Sequence, residues 1–189
     1  MQPKLFHPNK LKCPVKQISS GNLLKIKDSD FLLALLLVVI TAVFMTATYL
    51  RWINTSSFIG PLRFSHWLSI IGTSYIAIAT SAFVLLKRFN PEKIKRYLRF
   101  HIFGNLLFFI LISIHLAAQI GRPLTSYPPL GMGSAMYIAM TLEVISGFAE
   151  RFPLIKQIST KTNKFIHASL VLVFYVVIGF HVLDALGFL

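Results

Sequence analysis

Polar and basic residues fill the first 29 positions, and from Phe31 onward long apolar runs alternate with short polar linkers. Five runs reach the ~20 residues that a helix needs to cross a hydrocarbon core. The predicted spans are 31–50, 66–87, 100–121, 132–150 and 165–186. The first carries no charge between Phe31 and Leu50, whereas the fourth is short, rich in Gly, Ser and Met, and contains Glu143. Pro3, Pro8, Pro14 and Gly21 oppose a long helix near the start. Residues 1–29 are therefore expected to form a basic cytoplasmic tail and 30–189 an all-α, five-helix transmembrane domain. No short apolar core followed by a small-residue cleavage site occurs near the start, so no cleaved signal peptide is expected.

Composition agrees with a membrane protein. Of 189 residues, 55% are hydrophobic and 13% charged, about half the charged share usual in soluble domains, and the mean hydropathy is +0.69. Nineteen Lys and Arg against six Asp and Glu give a net charge of +13. Such an excess suggests nucleic acid only where the bases form a patch, and here they lie between apolar runs. Sixteen lie in the tail and in linkers 87–99 and 151–164, leaving Arg51, Arg63 and Arg122 for linkers 51–65 and 122–131. Because the two sets alternate along the chain, the positive-inside rule predicts a cytoplasmic N-terminus and an outer C-terminus. Tyr49, Trp52 and Trp67 then meet the outer interface, where amphipathic aromatics are favoured. The expected partner is the bilayer of the cell (inner or plasma) membrane, with no nucleic acid. A single cysteine, Cys13, excludes an intrachain disulfide and a cysteine-based metal cluster.

Among six histidines, four repeat an interval. His101 and His115 lie 14 residues apart on the third span, as do His167 and His181 on the fifth. Fourteen helical residues turn through about 1400°, roughly 40° short of four turns, and rise about 21 Å. Each pair thus shares one helix face. Spans three and five run in the same direction, so His101 is level with His167 near the cytoplasmic side and His115 with His181 near the outer side. Two facing imidazoles with nitrogens about 4 Å apart are what a six-coordinate b-type haem requires. No CxxCH occurs, which excludes covalent c-type attachment. The plainer alternative is interhelical hydrogen bonding or proton relay, which does not call for matched intervals on two helices. One tetrahedral zinc site fits poorly with pairs about 21 Å apart. Phe108 and Phe174 sit midway between the histidines of their helices. Gly104, three residues after His101, offers room for a flat macrocycle or for close helix packing.

RFHIFGNLLFFILISIH (99–115) followed by FIHASLVLVFYVVIGFH (165–181) resembles the ferric-reductase-like transmembrane domain. That group includes ferric reductases, NADPH oxidases and the haem membrane subunit of a bacterial methionine-sulfoxide reductase system. The resemblance covers about residues 60–186, with KRFNPEKIKRYLRFH (87–101) as the basic loop before the third helix. It implies two non-covalent b haems ligated by His101, His115, His167 and His181, and electron flow outward from the cytoplasm. Two features depart from the family pattern: five spans stand where six are usual, and these residues hold neither flavin nor nicotinamide domain, nor a GxGxxG fingerprint. The resemblance therefore implies the haem membrane subunit of an oxidoreductase. A separate protein or a quinol would donate electrons to it, an acceptor or redox partner would meet it on the outer face, and further membrane subunits are an option. The paired spacing is also similar to cytochrome b of respiratory complexes, which makes a quinone-reactive subunit the main competitor. A haem-free structural or proton-conducting subunit is the third reading.

Glu143, inside the fourth span, reads equally as a proton- or quinone-site acid and as a hydrogen-bonded residue near the basic surface. Asn105 and Gln119 lie one turn after His101 and His115, placed to hydrogen-bond a ligand. Arg99 and Lys164 flank the inner histidines, and Arg63 and Arg122 the outer ones, as candidates for haem propionates or simple topology-setting charges. His66 begins the second span at the outer surface, and no catalytic residue is assigned.

Overall fold

A peptide group in hydrocarbon has no water to bond, so an apolar run of this length satisfies its backbone as a helix. The computed structural model describes residues 28–128, 130–152, 159–185, 187 and 188. Five helices form there: α1 (Asp28–Tyr49), α2 (Phe64–Phe89), α3 (Ile94–Ile120), α4 (Gly131–Arg151) and α5 (Thr160–Ala185). All five are long and apolar enough to cross a membrane. Most of the predicted tail lies outside the described residues, and its last two positions, 28 and 29, belong to α1.

Both α3 and α5 begin five or six residues before the predicted spans, at Ile94 and Thr160 rather than 100 and 165. Hydropathy marks where hydrocarbon ends, and a helix continues past that point until a residue breaks it. Lys95, Arg96 and Arg99, like Lys161 and Lys164, are good helix formers with no glycine or proline among them. A 3₁₀ turn, Pro91–Lys93, makes the short α2–α3 connection.

The α1–α2 connection holds a small antiparallel hairpin, β1 (Phe58–Ile59) and β2 (Leu62–Arg63), closed through Gly60 at φ +62°. The end of the bundle carrying it is called the hairpin end, and the opposite one the Asp30 end. Trp67 Nε1 donates to the Ile59 carbonyl at 2.9 Å and fixes the hairpin on α2.

Helix α3 is central, packing against α1, α2 and α4, while α4 and α5 form an antiparallel pair. By contrast, α3 and α5 share no extensive interface. Mid-bundle, Ile76, Phe109, Ile112, Met136, Met140 and Phe174 form the main apolar cluster, with Phe174 only 1% exposed. Polar ties hold the ends. At the Asp30 end, the Asp30 carboxylate meets Arg99 at 2.7 Å and Arg151 at 3.6 Å, joining α1 to α3 and α4. Asn163 donates to the Ser146 carbonyl and to Glu150, and Lys164 lies 3.6 Å from Glu150, closing α4 on α5. Tyr175 donates to the Ala77 carbonyl and contacts Ser81, a bridge from α5 to α2.

Candidate functional site

The 14-residue interval sets His101 and His167 toward the Asp30 end, and His115 and His181 toward the hairpin end. His101 and His167 thus share one level of the bundle, and His115 and His181 the other. Helices α3 and α5, which carry these histidines, share no extensive backbone interface.

Three of the four rings are held through Nδ1. His115 Nδ1 lies 3.0 Å from the Ser65 carbonyl, which can only accept, so Nδ1 carries the proton and Nε2 the free lone pair. Ser146 Oγ donates to the Glu143 carbonyl at 2.9 Å and lies 2.9 Å from His167 Nδ1, so it accepts the Nδ1 proton. Nε2 of His167 is again the free nitrogen. The Asn105 amide nitrogen donates to His101 Nδ1 at 3.3 Å, which leaves the His101 proton on Nε2, the opposite tautomer, and Phe83 stacks on the His101 ring at 4.7 Å. Gln119 approaches His115 Nδ1 at 3.5 Å, so both amides expected beside a histidine lie there. His181 Nδ1 is buried with no partner among the described residues. A backbone or hydroxyl acceptor on Nδ1 is the arrangement that fixes tautomer and ring orientation in metal-ligating histidines.

Helix α4 lines the site in a way that spacing on α3 and α5 does not announce. A Cβ on Gly147 would stand 3.3 Å from His167 Cε1, and one on Gly133 3.8 Å from His181 Cε1. These glycines are themselves 14 residues apart on an antiparallel helix, one at each histidine level. That repeat was present in the sequence. Ser65 and Ser146 left no comparable signal, since only packing brings them to their histidines.

Gly104 faces α2, where a Cβ would collide with the Tyr75 hydroxyl. Its smallness serves helix packing there. Phe108 stacks on Tyr75 at 3.8 Å and packs, like Phe174, in the mid-bundle cluster between the two histidine levels. Arg99 is engaged by Asp30. Glu143 is 7% exposed, and its Oε2 has no partner among the described residues. On α4 it precedes Ser146 and Gly147 by three and four residues, so all three share a face.

At the hairpin end the His66 ring meets His115 edge-on at 5.0 Å between centroids. Arg63 and Arg122 are near enough to act electrostatically on His66. Partial burial and the neighbouring charge of Arg63 both lower the pKa of the Arg122 guanidinium from its usual value.

Among the described residues, no three His, Cys, Asp or Glu side chains gather as a metal cluster. Comparison with family models, curated proteins and solved structures finds no match to this chain.

Proposed function

We propose that this protein is a bis-haem b cytochrome that carries electrons across the membrane. His101 and His167 would hold one haem and His115 and His181 the other. A bound haem supplies a reversible one-electron couple, which none of the side chains provides. The chain's own residues would orient the ligands through Nδ1, exclude water with the Phe108 and Phe174 cluster, and keep the two levels about 21 Å apart. One observation carries this reading: α3 and α5 each present one histidine at each of two levels, with His115 and His167 tautomers fixed so that Nε2 is free. Glycines of α4 packed against His167 and His181, one at each level, support it.

With 16 of 19 bases in the sequence of the tail and of linkers 87–99 and 151–164, the Asp30 end would face the cytoplasm and the hairpin end the outside of the inner or plasma membrane. A separate flavoprotein or a quinol would supply electrons at the Asp30 end. The quinone-reactive reading, in a larger respiratory complex, is favoured by the unpartnered Glu143 carboxyl on the α4 face beside His167. In that case, quinol-dependent haem reduction is lost in Glu143→Gln; retention of the wild-type rate counts against it.

Single-ligand replacement tests the site. Haem counted on His101→Ala and His181→Ala should fall from two to one per chain. A full two-haem spectrum in either variant sinks that ligand assignment.

A further inference from the structure

The hairpin end contains a cavity of about 400 Å³ into which Arg51, Arg63 and Arg122 all converge. They are the whole basic complement of the α1–α2 and α3–α4 linkers, drawn into one place from positions as far as 71 residues apart. Asn54, Ser56 and Ser126 add neutral polar groups, and no acid stands among the described lining residues.

Like charges are not gathered this way without compensation. Arg63 presses on Arg122, whose pKa is lowered by that charge and by burial. Two guanidiniums already have partial partners: Arg63 lies over the Phe58 ring at 5.3 Å, and Arg51 donates to the Gly121 carbonyl at 2.7 and 3.1 Å. Arg51 reaches that carbonyl from φ +62°, a left-handed conformation costly for a residue with a Cβ. Neither a ring face nor a helix-terminal carbonyl neutralises a full charge. The remaining need is for an anion that accepts several hydrogen bonds at once, which carboxylates and phosphates do. A volume of this size suits a small organic anion.

We propose that this cavity binds a small carboxylate- or phosphate-bearing anion, clasped by Arg51, Arg63 and Arg122. Ser65, whose carbonyl holds His115, lines the cavity, as does Ala118, three residues beyond His115. A bound anion therefore sits beside the hairpin-end histidine pair. Two sources share this chemistry: a propionate of the haem placed there, or a free anion entering from the linker side. Only the choice of source rests on the proposed haem reading, and the site itself stands without it.

The test uses the full chain, as purified, in phosphatidylcholine nanodiscs. Citrate binding is followed by titration calorimetry, and haem is counted on the same samples. The comparison is wild type against Arg63→Gln/Arg122→Gln, with Lys87→Gln/Arg88→Gln as a charge-matched control at the other end. Saturable citrate binding, weakened roughly 100-fold by the first pair alone, establishes a free-anion site. Absent citrate binding, a selective loss or spectral shift of one haem in that pair assigns the arginines to propionates. No citrate binding together with an unaltered haem spectrum overturns the proposal, as does equal citrate affinity in all three proteins. Citrate binding by a chain that purifies without haem sinks the haem reading and leaves the anion site standing. Arg63→Lys/Arg122→Lys keeps the charges if the glutamine pair does not fold, and an intermediate loss of roughly tenfold is then expected.

Discussion

At the scale of single residues, the chemistry turns on which imidazole nitrogen is free. Ser65 and Ser146 decide this for His115 and His167 by accepting the Nδ1 proton. Ser146→Ala removes a side-chain acceptor, whereas the Ser65 carbonyl survives any substitution. Loss of an Nδ1 acceptor makes the ligand less basic and favours ferrous iron, so Ser146→Ala should raise one haem's midpoint potential. Haem affinity at that level should fall about 10- to 100-fold, while the second haem keeps its potential. A redox titration checks both statements, and two unshifted waves would remove Ser146 from the site. The four histidines were legible because fourteen residues return a helix to nearly the same face. Ser65 and Ser146 were not, because their contact with histidine depends on how α2 meets α3 and how α4 meets α5.

At the scale of helices, α4 is the least hydrophobic span and the one most shaped by the site. Its inward face carries Gly133, Met136, Met140, Glu143 and Ser146, with Gly147 against His167. Gly147→Val should displace the His167 ring and abolish one haem, because even a bare Cβ would stand at 3.3 Å. Gly133→Ala, with 3.8 Å available, should keep both haems. Equal haem contents in the two variants would contradict this packing. The ends of the helices depend on polar ties of a different kind. Asp30→Asn leaves Arg151, whose side chain is 13% exposed, facing Arg99 without their shared anion. Chemical unfolding in mild detergent should show a lower midpoint than wild type, the loss arising mainly from the part-buried Arg151 because Arg99 retains water. The five spans were readable from hydropathy, but the extra first turns of α3 and α5 were not, since hydropathy follows the lipid and not the helix. The Arg99 contact also escaped the sequence, because its partner lies 69 residues away on α1. A propionate role for Arg99 would compete with that contact.

At the scale of the whole molecule, the proposed electron transfer requires two levels of ligand on opposite sides of one bilayer. The asymmetry of bases predicts the orientation: Asn54→Cys should be labelled from outside intact cells and Glu92→Cys only after permeabilisation, both in a Cys13→Ser background. The reverse pattern would invert donor and acceptor sides without altering the bundle. Architecture follows the same division of labour. Helices α1 and α2 support α3, α4 supports α5, and α3 and α5 share no extensive interface. Sequence periodicity singled out the four histidines as candidates, while the cavity of three arginines emerged only when linkers distant in the chain were folded together. The most direct measurement is haem stoichiometry: a pyridine haemochrome assay with a dithionite-reduced minus oxidised spectrum of the purified protein, expressed with ample haem. The expected result is about two b haems per chain, with the α-band of low-spin bis-histidine iron. A protein that folds and purifies without Soret absorption would contradict the central claim and return the four histidines to packing or proton transfer.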